Sequence, residues 1–77
     1  MNPQKLPPLK PREVVRILER VGFIVVRQRG SHIHMKHPDR PGRRVTIPYH
    51  SRDLAPKTLA SIIRQAGLTV EEFLKLR

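Results

Sequence analysis

Cysteine and tryptophan are missing from this sequence, and acidic residues are few. Without cysteine there is no disulfide to brace a fold, no thiol nucleophile and no thiolate metal ligand; a reducing compartment such as the cytoplasm is the natural setting. Aromatic residues are limited to Phe23, Tyr49 and Phe73, 4% of the chain. A reader of single strands built on rows of stacked aromatics is therefore disfavoured. No apolar run approaches the roughly 20 residues of a membrane span, and no signal peptide is visible. Against 6 Asp+Glu stand 16 Lys+Arg, a formal charge of +10. Such an imbalance points to an anionic partner, with nucleic acid the first candidate. A membrane surface fits less well, because the apolar residues are needed for a core.

Those apolar residues make up 38% of 77, enough for one small domain and not for two. A chain of this size buries only about 60% of the surface its unfolded form exposes, so the core is marginal. Residues 1–9 carry Pro3, Pro7 and Pro8 without apolar periodicity and read as a flexible proline-rich arm. Residues 10–77 form the domain. Pro11 suits the first turn of a helix, and Val14, Ile17, Leu18 and Val21 follow at the spacing of one helical stripe. Gly22 is placed to end it. Phe23 to Arg29 is rich in β-branched residues and reads as a strand. Gly30-Ser31 is a two-residue turn of type II′, with glycine at its first central position. His32 to His37 alternates as a second strand. Pro38 to Gly42 reads as a loop, and Arg44 to Pro48 as a short third strand. After a connection over 49–55, Pro56 opens a helix whose stripe is Leu59, Ile62, Ile63 and Ala66. Thr69 and Glu72 fit a capping box for a last short helix. The expected fold is α+β in the order α-β-β-β-α, a three-stranded antiparallel sheet with the helices packed on one face.

The turn dictates which side chains share a face. With Gly30 and Ser31 as the loop, Arg29 opposes His32, Arg27 opposes His34 and Val25 opposes Lys36, and opposed residues of an antiparallel pair point the same way. Pairing Met35 with Val45 and Ile33 with Ile47 sets Thr46 beside His34 and Arg44 beside Lys36. One face then carries Ile24, Val26, Ile33 and Met35, with Gln28 and His37 at its ends, and needs covering. The other presents Arg27, Arg29, His32, His34, Lys36 and Arg44. A slip of one residue would bury that charge, so the register is strongly specified.

Cations on a rigid sheet hold phosphates, and imidazoles among them move protons near neutral pH. His32 directly follows the turn, which leaves one side of its ring open. RNA brings its own nucleophile, the 2′-hydroxyl beside the scissile phosphate. An enzyme need only take that proton, protonate the leaving oxygen and offset the growing charge on phosphorus. From spacing alone the better reading of His32 is an ordinary polar strand residue. A metal reading of His32, His34 and His37, with Asp39 close by, is weak. His37 points to the opposite face from the other two, and zinc wants three or four converging ligands. Tyr49 is free to stack, and His50 is either a second acid–base group or a solvated loop residue. Arg12, Arg16 and Arg20 form either a solvated helix face or a lane for a nucleic-acid backbone. Ser31 has no serine-protease context, since no acid partner is placed for His32 and no nucleophile elbow exists.

Taken together, the Arg29-Gly30-Ser31-His32 segment after a strand, Val45 to His50, Thr58-Leu59 running to Ala66-Gly67-Leu68, and Glu71 to Leu74 resemble the HicA (YcfA-like) toxin family from about Leu9 to the C-terminus. The resemblance implies a double-stranded-RNA-binding-domain-like fold and an mRNA interferase, an endoribonuclease that cuts mRNA and inhibits translation within a toxin–antitoxin module. It implies that His32 is the catalytic residue, that no metal or other cofactor is used, and that a HicB-type antitoxin masks the active site. Arg27, Arg29, Ser31, His34, Lys36 and Arg44 are then the expected RNA- and phosphate-binding residues, and Tyr49 and His50 the assisting candidates. The alternative is a non-catalytic double-stranded-RNA binding module, which explains charge and fold equally well but gives His32 no special role.

Overall fold

The structure is a computed structural model that describes residues 6–77; the expectation of a flexible arm over residues 1–5 lies outside them. Elements follow in the order α1 (Pro11–Arg20), β1 (Ile24–Arg29), β2 (His32–His37), β3 (Arg40–Pro48), α2 (Pro56–Gln65) and α3 (Val70–Lys75). The three strands form one antiparallel sheet in the order β1-β2-β3. This is the expected α+β, α-β-β-β-α arrangement. No helix of the described residues is long and apolar enough to cross a membrane.

Local chemistry accounts for most boundaries. Pro11 and Pro56 occupy the first turns of α1 and α2, where a missing N–H costs nothing. Val21 caps α1, and Gly22 follows with φ of 101°. A Cβ at Gly22 would lie 2.7 Å from the Nε2 of His37, so this position needs glycine for space as well as for conformation. In the β1–β2 turn Gly30 has φ of 53° while Ser31 keeps a negative φ, the pattern of a type II′ turn. At the start of α3 the Thr69 hydroxyl accepts from the Glu72 N–H at 3.0 Å, and the Glu72 carboxylate accepts from the Thr69 N–H at 2.8 Å. That closes the expected capping box.

Packing is one-sided. Ile33 and Met35 of β2 oppose Ile47 and Val45 of β3, and all four are buried. They meet Val14, Ile17 and Leu18 of α1, Leu59, Ile62 and Ile63 of α2, and Phe73 of α3. Both α1 and α2 pack against β3. The exposed edge of β3 is partly satisfied by α2, where the Gln65 side-chain oxygen accepts the Thr46 N–H at 3.2 Å.

Three expectations need correction. The first concerns β1. Its register is regular from Arg29 to Arg27, but a β-bulge then intervenes, and Val25 opposes Met35 while Ile24 opposes Lys36. Val26 is the extra residue. Ile24 therefore joins the cationic face instead of the covered one. Ile24, Val25 and Val26 are 45%, 44% and 48% exposed. The helices sit over β3, and β1, on the far side of β2, stays uncovered. The second concerns the Pro38–Gly42 loop. The turn is only Pro38-Asp39, and β3 already begins at Arg40, taking in Pro41 and Gly42. Arg40 opposes His37 and Arg44 opposes Lys36, so Pro41, Gly42 and Arg43 fall in a register irregularity of this edge strand, where proline is tolerated. The third concerns the arm. Leu9 is buried, its carbonyl accepts the Leu54 N–H at 2.8 Å, and Leu6 packs on the core. Packing thus begins before Lys10.

The bulge makes a sharp expectation. Val26→Thr should change unfolding free energy by less than about 0.5 kcal/mol, since the side chain stands in solvent. Met35→Ala should cost about 2–5 kcal/mol. Denaturant unfolding of both variants checks this; comparable large losses would restore Val26 to the core.

Candidate active site

Opposite the helices, the sheet presents three cross-strand rows. Arg29, His32 and Pro48 form the row next to the β1–β2 turn. Arg27, His34 and Thr46 form the next, and Ile24, Lys36 and Arg44 the third. Rows on one face lie two residues, or roughly 7 Å, apart along a strand. Arg27, Arg29, His32, Lys36 and Arg44 are all exposed, and Ser31 stands exposed in the turn. The structure therefore brings the expected cationic set together, with Ile24 in the place expected for Val25.

The second and third rows line an open depression of about 510 Å³ formed by Val26, Arg27, His34, Lys36, Arg44 and Thr46 among others. His34 is half-buried at its centre, and its Nδ1 lies 3.2 Å from the Thr46 hydroxyl, which orients the ring. His32 stands at the rim, one row away, without a side-chain hydrogen bond among the described residues. Its ring is thus free to meet a solute. Among the described residues the one ion pair is Lys10–Asp53 at 3.5 Å, away from this face. The platform cations consequently have no carboxylate partner there. Their mutual repulsion is relieved when an anion binds.

His37 has a different role. Its Nδ1 accepts the Asp39 N–H at 3.1 Å, which leaves the ring hydrogen on Nε2, donated to the Val21 carbonyl at 2.7 Å. The ring meets Phe23 edge-on, with centroids 5.2 Å apart. It joins the β2–β3 turn to the end of α1 from the side away from His32 and His34, as its position in the alternation requires. Among the described residues no three His, Asp or Glu side chains converge as metal ligands would.

Tyr49 and His50 follow β3. The Tyr49 N–H donates to the Ser31 carbonyl at 2.5 Å, so this segment is tied to the residue before His32. Their side chains line a second cavity, of about 390 Å³, with Lys10, Arg12 and Ser51. Of these, sequence reasoning placed Arg12 on a helix face and overlooked Lys10. The only available signal was Pro11, which puts both at the start of α1. Arg16 and Arg20 lie further along α1, facing Arg77, and Arg20 donates to the Leu76 carbonyl at 2.5 Å. The arginine stripe is therefore split between two surfaces.

A sheet shielded by helices on one side and lined on the other by unpaired cations and two imidazoles defines a small α+β domain with one cationic face. The family model for the HicA toxin of bacterial toxin–antitoxin systems matches residues 11–68, and the chain belongs to this family. That span includes the Gly30–Ser31 turn, His32, the whole sheet and Tyr49-His50, and ends just after α2. No curated protein matches the chain.

Two histidines on opposite sides of one strand should respond differently to substitution. His37→Ala leaves the Val21 carbonyl without its partner and should cost about 1–3 kcal/mol. His32→Ala should stay within about 0.5 kcal/mol of the parent. Thermal or denaturant unfolding reads both, and a large loss at His32 would show that its ring is structural.

Proposed function

We propose that this chain is the toxin of a toxin–antitoxin pair and acts as a metal-independent endoribonuclease on mRNA, halting translation in the cytoplasm. The observation that carries the reading is the exposed His32 on a carboxylate-free sheet face with Arg27, Arg29, Lys36 and Arg44. Family membership supports a toxin, and the chemistry of this face supports RNA as its target.

The reaction needs little from the protein. The 2′-hydroxyl loses its proton and attacks the adjacent phosphorus. The bond from phosphorus to the 5′-oxygen breaks, and that oxygen gains a proton. A 2′,3′-cyclic phosphate and a 5′-hydroxyl result. His32 serves as general base at the 2′-hydroxyl or general acid at the leaving oxygen, a contribution typically of 10²–10⁴-fold. Arg27, Arg29, Lys36 and Arg44 hold phosphates and offset the charge that grows on the non-bridging oxygens. His34, oriented by Thr46, and the Ser31 hydroxyl add hydrogen bonds to the backbone. Planar, bidentate guanidinium groups suit this task better than lysine would. A HicB-type antitoxin, covering His32 and the platform, would block RNA by occupying the same cationic surface.

His32→Ala should cut labelled RNA about 10²–10⁴-fold more slowly while keeping RNA affinity within a factor of about two. Unchanged cleavage by that variant removes His32 from the mechanism. Wild-type protein that binds RNA and never yields fragments would instead identify a non-catalytic double-stranded-RNA module. A substrate with a single deoxyribose at the scissile position should resist cutting altogether, and its cleavage would exclude the 2′-hydroxyl as nucleophile.

A further inference from the structure

The cavity beyond the β1–β2 turn is not needed for the chemistry above, yet it is built from groups that suit a nucleotide. Tyr49 supplies the ring. It is 37% exposed, whereas Phe23 and Phe73, the other two aromatic residues, are 3% and 0% exposed. Arg12 supplies the charge. It makes no ion pair or side-chain hydrogen bond among the described residues. Its neighbour Glu13 is occupied by the Lys10 N–H at 2.8 Å, and Asp53 by the Lys10 ammonium. Neither carboxylate forms an ion pair with Arg12. His50 supplies a donor of defined direction. Its Nδ1 accepts the Arg52 N–H at 3.1 Å, so in the neutral ring the hydrogen sits on Nε2, on the side away from its own backbone. The Tyr49–Ser31 backbone bond fastens this cavity to the turn that bears His32.

We propose that this cavity is a subsite for one unpaired nucleotide of RNA, its base stacked on Tyr49 and its phosphate held by Arg12 and the His50 Nε2–H. Lys10, paired with Asp53, borders the site as a second, already partnered cation. The proposal rests on RNA being the ligand of the neighbouring platform. It adds that the strand must be single-stranded at this point, because a base locked in a duplex cannot present its face to a side chain. One stacking aromatic is consistent with the scarcity of such residues. It positions a single flanking base and is no substitute for backbone contacts.

The composition provides the probe. The chain has one tyrosine and no tryptophan, so its intrinsic fluorescence reports Tyr49 alone. An uncleavable 2′-O-methyl tetranucleotide should quench that emission saturably. Inorganic polyphosphate, which has charge but no bases, should not, and neither should a fully paired duplex. Arg12→Ala should raise the oligonucleotide concentration needed for half-quenching. In filter binding with the same oligonucleotide, Tyr49→Ala should weaken affinity roughly fivefold or more, and Tyr49→Phe should preserve it. Circular dichroism confirms that the variants fold. Binding without quenching, equal quenching by polyphosphate, or unchanged affinity of Tyr49→Ala would each overturn the subsite. A parallel cleavage assay separates the two readings: quenching without fragments retains the subsite and refutes the nuclease, and fragments without quenching do the reverse.

Discussion

Ile33 and Met35 in β2 and Ile47 and Val45 in β3 are directly opposed, and all four are sealed beneath α1, α2 and α3. In a strand, side chains alternate, so burying these four forces His32, His34, Lys36, Arg44 and Thr46 to the other side. The cationic face is in this sense a by-product of the core. Neither half of the alternation can be altered alone. Shifting β2 by one residue would bury two imidazoles and a lysine, whose desolvation far exceeds what a marginal core of this size can absorb. Rigidity of the cationic surface thus follows from apolar packing a few ångströms beneath it.

Much of this was legible in the residues because each feature had a local cause. The Gly30-Ser31 turn sets the β1–β2 pairing at its near end. The alternation of β2 and the Val45/Ile47 pair set the β2–β3 register. The proline starts of α1 and α2, Gly22 and the Thr69/Glu72 box are all short-range signals, and the structure reproduces them. The misses have non-local causes. A run such as Ile24-Val25-Val26 looks the same with or without a bulge. The bulge is legible only once the helices are known to cover β3 and leave β1 bare. Pro41-Gly42 suggested a loop because those residues break central strands, but they sit in a register irregularity of an edge strand, where both are tolerated. Leu9 looked like part of an arm because its partner, Leu54, lies far along the chain.

The candidate site divides in the same way. The cationic rows followed from pairing; the three-dimensional arrangement exchanges Val25 for Ile24 and adds the bulged Val26 to the depression. The second cavity could not be read, since it joins the start of α1 to the loop after β3. Its members are close only because both segments converge on the end of the sheet that bears the β1–β2 turn. Polar groups there are divided between structural duty and availability. Lys10, Glu13 and Asp53 satisfy one another, whereas Arg12 and the outer edge of the His50 ring are left to solvent.

The exposed strand β1 lies at the edge of the sheet, and charge opposes its pairing with another copy. Three adjacent aliphatic side chains on an open strand edge favour strand addition between copies. Opposing it is a net charge of +10 per chain, with Arg27 and Arg29 on that very strand. At an ionic strength of 0.15 M such repulsion reaches only about 8 Å, and a bound polyanion cancels it. The arginines proposed to hold nucleic acid thus also oppose edge-to-edge pairing of β1, and neutralising them while that strand is uncovered removes the opposition.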